Sequence, residues 1–186
     1  MKKVPFSGHY TADKPALNNR HRLKIFRKFL GWHSVPKNMK VLDIGASNFI
    51  GRELGITDFT AGDLNRTMRA SGDEYGVVTC FEVINHLFNH GVLIENIKKR
   101  LKRGGKLYLT TPKYWLFAWK HGRGNYTEMD THSIKLLFEY YGFKSLRYKT
   151  KNPWPWYWPL HRSFWGFRPP FRLLFNRFQM WEFEKE

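Results

Sequence analysis

Between residues 40 and 150 the chain alternates short apolar runs with segments of helical spacing, and this rhythm restricts its fold more than any other feature. Lys40 to Gly45 predicts a buried strand meeting a glycine turn, and Asn48 to Leu54 a short helix after it. Phe59 to Leu64 predicts a second strand, Val77 to Val83 a β-branched third, and Lys106 to Thr111 another, ended by Pro112. Asn89 to Leu101 carries Val92, Leu93, Ile97 and Leu101 at helical spacing. Ser133 to Tyr141 predicts a helix stopped by Gly142, followed by a strand from Phe143 to Thr150. Upstream, residues 16–32 predict a basic helix with Leu23, Phe26 and Leu30 on one stripe. Downstream, Phe178 to Lys185 predicts the last strand, where Phe178 and Met180 alternate with polar residues until Trp181 and Phe183 shift the phase. Strand and helix in such succession imply an α/β domain: a largely parallel sheet, helices on both faces, ligands at the carboxyl ends of the strands.

Length and composition fit one globular domain, with 186 residues of which 42% are hydrophobic. Residues 1–36 are expected to form an N-terminal basic helical segment and residues 37–186 the main domain, with an aromatic and basic insertion at about 152–175. Cys80 is the single cysteine, which excludes an internal disulfide framework or a thiolate zinc site and favours a reducing compartment. The opening MKKVPFSGHYTADKP has no apolar stretch behind its lysines, so no secretory signal is expected there. No run approaches the roughly 18 apolar residues of a membrane-spanning helix. The expected location is cytoplasmic, with peripheral contact at the inner face of a membrane as an extension. A net charge of +17 concentrates anionic partners without choosing among nucleic acid, acidic headgroups and phosphorylated small molecules.

The chemistry starts at Val41-Leu-Asp43-Ile-Gly45, with Gly51 beyond it and Asp63 twenty residues after Asp43. A glycine just after a strand lets the backbone turn sharply and leaves amide donors facing a ligand. An acid at the tip of the next strand is placed to accept the hydroxyls of a ribose. Together they point to a nucleoside-containing cofactor. The plain alternatives are that Asp43 caps the glycine turn and that Asp63 is an ordinary loop acid.

Four segments, VLDIGASNFIG, AGDLN, YGVVTCFEVINHL and LKRGGKLYLTTPK, occur in an order that resembles class I S-adenosylmethionine-dependent methyltransferases. The likeness is to small-molecule enzymes with an EVxEHL-like fourth strand and an LxPGGxLxxTTP-like fifth, over residues 40–150. It implies a Rossmann-like fold with a mostly parallel seven-stranded sheet, or six strands where the third is abbreviated. It also implies S-adenosylmethionine as methyl donor. Carried over by position, Asp43 and Gly45, with Ala46 and Ser47, would border the methionine end. Asp63 would hold the ribose beside Leu64, and Cys80, Phe81 and Glu82 would flank the sulfonium or adenine side.

Three departures bear on the site. Ser47 and Phe49 stand at the second and third glycine positions of the turn, so either the turn is wider than usual or Gly51 supplies the flexibility. The stretch from Asp63 to Tyr75 is short, and Asp73 is a weak substitute for an adenine-binding acid. Asn85-His86 replaces a Glu-His pair, so no metal ion is expected. Glu82 and His86 are the candidate catalytic residues, ahead of His121 and His132; His86 reads more readily as an orienting or capping residue than as a base. Cys80 lies in an apolar run and reads as packing.

Lys113 to Tyr126 falls where the family places acceptor contacts or a lid. Residues 152–175 mix Trp, Tyr and Phe with Arg and Lys, which suits a membrane-interface patch, a base-stacking surface or a subdomain packed on itself. Three functions stay open: methyl transfer to O or N of a small, sugar or lipid-linked acceptor; RNA modification; and a non-catalytic methyltransferase-like binding protein. No obligate protein partner is expected.

Overall fold

The structure, a computed structural model, describes residues 17–45, 49–60, 63–66, 74–113, 126–151 and 178–186. Ala46, Ser47, Asp73, His121 and the aromatic stretch at 152–175 therefore lie outside the described residues. In chain order the elements are α1 (Leu17–Leu30), β1 (Val41–Asp43), α2 (Phe49–Leu54), β2 (Asp58–Phe59) and β3 (Tyr75–Phe81). A 3-10 turn at Ile84–His86 follows, then α3 (His90–Arg100), β4 (Leu101–Pro112), α4 (Thr131–Tyr140), β5 (Phe143–Lys151) and β6 (Phe178–Lys185). The described strands form a six-stranded sheet in the order β2-β1-β3-β4-β6-β5. The four strands from β2 to β4 run parallel, while β6 is antiparallel to both β4 and β5. This is the Rossmann-like α/β architecture, mostly parallel, with six strands among the described residues.

Alternation along the strands sorts the core into two layers. Leu42, Val78, Cys80, Leu107, Leu109, Trp181 and Phe183 face one side, packed with Leu93, Ile94 and Ile97 of α3 and Ile134 and Phe138 of α4. Val41, Val77, Phe81, Tyr108, Phe178 and Met180 face the other, against Leu23, Phe26, Phe29 and Leu30 of α1. The Phe26 ring stacks on both Phe81 and Phe178, at centroid distances of 4.7 and 5.6 Å. That bond of rings makes α1 part of the sheet's own core.

β6 spans Phe178–Lys185, the bounds expected from the sequence, and two of its polar residues lie inside the fold. It is buried from Phe178 through Phe183, Gln179 and Glu182 included, because helices cover both of its faces and strands flank both of its edges. Gln179 is satisfied by the Met129 carbonyl at 2.8 Å and by the Trp181 indole N–H at 3.2 Å. Glu182 binds Lys106 Nζ at 2.8 Å and Arg147 Nη2 at 2.7 Å. Arg147 also donates to the carbonyl of Phe29 at 2.5 Å and lies over the Phe29 ring, so this charge cluster ties the end of α1 to the sheet.

Strand limits differ from the sequence expectation for local reasons. β4 begins at Leu101, not Lys106, because Leu101 pairs with Tyr75 before the register shifts to Val77 opposite Lys106. Gly104, at φ 70°, turns the chain inside that irregularity. β2 stops at Phe59, well short of Leu64: Thr60 turns toward β1, and Asp63 to Arg66 form a turn. β3 starts at Tyr75 and ends at Phe81, because Glu82 adopts φ 59° and leaves the extended conformation.

Candidate functional site

The carboxyl ends of β1, β2, β3 and β4 lie side by side in the parallel part of the sheet. At the tip of β1, Asp43 is buried and its Oδ1 accepts the Thr79 hydroxyl at 2.5 Å. A hydroxyl in the apolar run Val-Val-Thr-Cys needs a partner once buried, and that need was the sequence signal for this pair. Gly45 sits at φ 119°, where L side chains are rare, and a Cβ there would meet Val83 Cγ2 at 3.3 Å. Its amide donates to Thr60 Oγ1 at 2.6 Å, while the Thr60 amide donates to the Asp43 carbonyl at 3.1 Å. The threonine therefore clasps the glycine turn against β2, a role that nothing in the sequence marks.

Asp63 stands in the turn after β2 with its side chain about half exposed. Its Oδ1 accepts from the Asn65 backbone amide at 3.0 Å and Asn65 Nδ2 at 3.3 Å, and Arg66 Nε lies 3.7 Å from Oδ2. Leu64 is buried in the core beneath it. Phe81 was expected to flank a cofactor, but its ring points into the α1 layer, so only its backbone is left for that role. Cys80 is fully buried, and desolvation, with the Asp43 and Glu82 charges added, pushes its thiol far up. A thiol so placed packs and does not attack.

Glu82 is the strained residue of the site: among the described residues no other non-glycine residue has a positive φ. Its amide donates to the Thr110 carbonyl at 2.9 Å, and the Thr110 hydroxyl donates to Oε1 at 3.4 Å. Burial raises its carboxyl from 4.5 to about 7, against the opposing pull of Arg22 and the Thr110 hydrogen bond, with Glu128 adding to the rise. Backbone strain held in place by surrounding contacts tends to mark a functional position. His86 ends the 3-10 turn half-buried, with Nε2 3.3 Å from Asn85 Nδ2. His132 is exposed on the first turn of α4.

Asn85 itself is buried, and its carbonyl accepts the amides of Tyr126 and Thr127 at 2.9 and 3.2 Å. This brings the segment before α4 to the mouth of the site. His90 Nε2 lies 2.9 Å from Thr127 Oγ1, and desolvation lowers its pKa against the pull of hydrogen bonds to the Leu87 and Ile84 backbone. Among the described residues no three His, Cys, Asp or Glu side chains gather as a metal site would require.

The residues present suit a nucleoside cofactor. A Cβ at Gly45 would press on Val83, so the turn after β1 keeps its backbone bare, and Asp63 offers a half-exposed carboxylate fixed by its own turn. Residues 17–148 match the model of the methyltransferase domain family. Solved structures are similar over most of the chain. One is the Haloferax volcanii protein in complex with the Trm112 methyltransferase activator, at 14% identity and TM-score 0.65, covering 90% of this chain and 91% of that one. A second is the S-adenosylmethionine-dependent methyltransferase of Mesorhizobium loti, at 11% identity and TM-score 0.54, covering 90% and 98%. A third is the glycopeptide N-methyltransferase MtfA complexed with S-adenosyl-L-methionine, at 11% identity and TM-score 0.54, covering 88% and 87%. A search of curated proteins finds no match by sequence.

Proposed function

The chain belongs to the methyltransferase domain family, and we propose that it transfers a methyl group from S-adenosylmethionine to an oxygen or nitrogen of a small acceptor. The observation that carries the reading is Glu82, a carboxyl strained into the left-handed region at the end of β3 and brought to about 7 by burial.

S-adenosylmethionine supplies an activated methyl group on a sulfonium whose departure as a neutral thioether leaves no anion to stabilise. The protein's task is therefore alignment of the acceptor and removal of its proton. Asp43 and Gly45 would border the methionine end of the bound cofactor, and Asp63 would accept the ribose hydroxyls. Glu82 takes the proton from a hydroxyl or ammonium acceptor, because a base works best when its pKa lies near the working pH. His86 orients this end of the site through its contact with Asn85.

The test is calorimetry of the full chain with S-adenosylmethionine and S-adenosylhomocysteine, followed by a labelled-methyl screen of small-molecule, lipid and RNA fractions. Label in a small-molecule or lipid fraction supports the reading. Label confined to RNA replaces it with RNA modification, and binding without label in any fraction makes the protein a binding module. Asp63→Ala is expected to weaken both ligands by about 2 kcal/mol, or roughly thirtyfold, the worth of charge-assisted hydrogen bonds at a half-exposed carboxylate. Unchanged affinity would remove Asp63 from the site. With Asn85 in place of a carboxylate, turnover should also survive chelation, which steady-state rates with and without a chelator will show.

A further inference from the structure

We propose that Asn65 couples the cofactor turn to the acceptor mouth, its amide engaging the Asp63 carboxylate on one side and the backbone of Phe88 and Asn89 on the other. The inference rests on the cofactor reading above and concerns how the two halves of that site are linked. Asn65 Oδ1 accepts the amides of Phe88 and Asn89 at 2.8 and 3.1 Å. Backbone amides only donate, so the oxygen must face them, and the side-chain NH₂ is left facing Asp63 Oδ1 at 3.3 Å. One short side chain thus joins positions 23 and 24 residues apart, across two loops.

What it holds is the start of α3 and the rim beside it. Asn89 caps α3 by accepting the Val92 amide at 3.2 Å. Phe88 is 71% exposed and Tyr126 46% exposed, yet their rings lie 4.3 Å apart, centroid to centroid. Each ring is fixed from behind by its backbone: Phe88 through Asn65, and Tyr126 through the Asn85 carbonyl. Two large rings held together and open to solvent, one on the loop after β3 and one before α4, offer an apolar surface for an acceptor to lie against. The connection from Asp63 to this surface is continuous and hydrogen-bonded. A ribose that fixes the Asp63 carboxylate fixes Asn65, and through it the two amides, so the acceptor surface is ordered once cofactor is bound.

The experiment is amide hydrogen exchange of the full chain with and without S-adenosylhomocysteine, in the wild type, Asn65→Ala and Asn65→Asp, with calorimetry alongside. In the wild type the ligand should slow exchange at Phe88 and Asn89 about five- to tenfold, the effect of firming one hydrogen bond. Asn65→Ala should lose that slowing and bind the ligand roughly three- to tenfold more weakly. Asn65→Asp keeps an acceptor for both amides, so it preserves the start of α3. It sets a carboxylate against Asp63, so it should show protected amides with or without ligand and weaker binding. Equal ligand-dependent slowing in Asn65→Ala, or wild-type affinity in Asn65→Asp, would overturn the coupling. Heat of binding without any slowing in the wild type overturns it too, leaving the cofactor reading intact. Absence of heat in the wild type removes the cofactor reading and the coupling with it.

Discussion

Glu82→Gln should lower turnover by roughly 10²- to 10⁴-fold, the usual contribution of a general base, while making the folded protein more stable above neutral pH. Both effects come from one cause. Burial raises the Glu82 carboxyl from 4.5 to about 7, so the folded state holds its proton over a range where the unfolded chain has lost it. The sign follows: stability falls as pH rises from about 4.5 to about 7 and then stays lower, by an order of 3 kcal/mol. Glutamine cannot ionise and escapes that penalty. Denaturant unfolding at pH 4 and pH 8 is the check: the variant should match the wild type at the lower pH and exceed it at the higher. In the wild type, turnover should climb with pH through about 7 as Glu82 ionises. A flat profile, or a variant with no stability advantage at pH 8, would move the base elsewhere. Glu82→Gly should gain roughly 1 kcal/mol more by relaxing the left-handed backbone, again without activity.

Glu182→Ala should destabilise the fold by about 3 kcal/mol, measured by the same unfolding curves. The carboxylate is buried and holds Lys106 and Arg147 at once. Its removal leaves two cations side by side, and among the described residues Arg147 then keeps the Phe29 carbonyl and ring. Because Lys106 and Arg147 are each a third or more exposed, water recovers part of the loss, which places the estimate at the low end for a broken buried pair. The damage should appear first in α1, as faster exchange of its last turn. A loss under about 1 kcal/mol would mean that the cluster contributes little beyond filling space.

The parts of this molecule that were legible beforehand are those written locally. Period and punctuation marked α1, α3, α4, β5 and β6 to within a few residues, since a helical stripe or a glycine stop is visible without knowing what it packs on. Gly45 was readable for the same reason, because a positive φ after a buried strand calls for glycine. The Thr60 clasp, the Asn65 bridge and the Glu182 cluster were not, because each depends on segments that only the folded sheet brings together. The direction of the Phe81 ring was not legible from its motif position, and strand alternation sends it to α1. The burial of β6 was not legible either, since an alternation of apolar and polar residues implies a wet face only when one face is wet. Here Gln179 and Glu182 find partners inside, and polarity no longer reports solvent.

The placement of β6 also dictates the order in which the sheet can be completed. β5 precedes β6 along the chain, yet β6 lies between β4 and β5 and supplies every ladder bond that joins them. A nascent chain emerging from the ribosome can assemble β1, β3 and β4 as soon as they are made, but β4 then presents a long open edge. β5 meanwhile has, among the described strands, only β6 to pair with. Both wait for Phe178–Lys185, and until those residues arrive the exposed edges are open to pairing with other chains. Closure over such sequence distances is slow, so the half-made sheet is the state in which a chaperone would matter most.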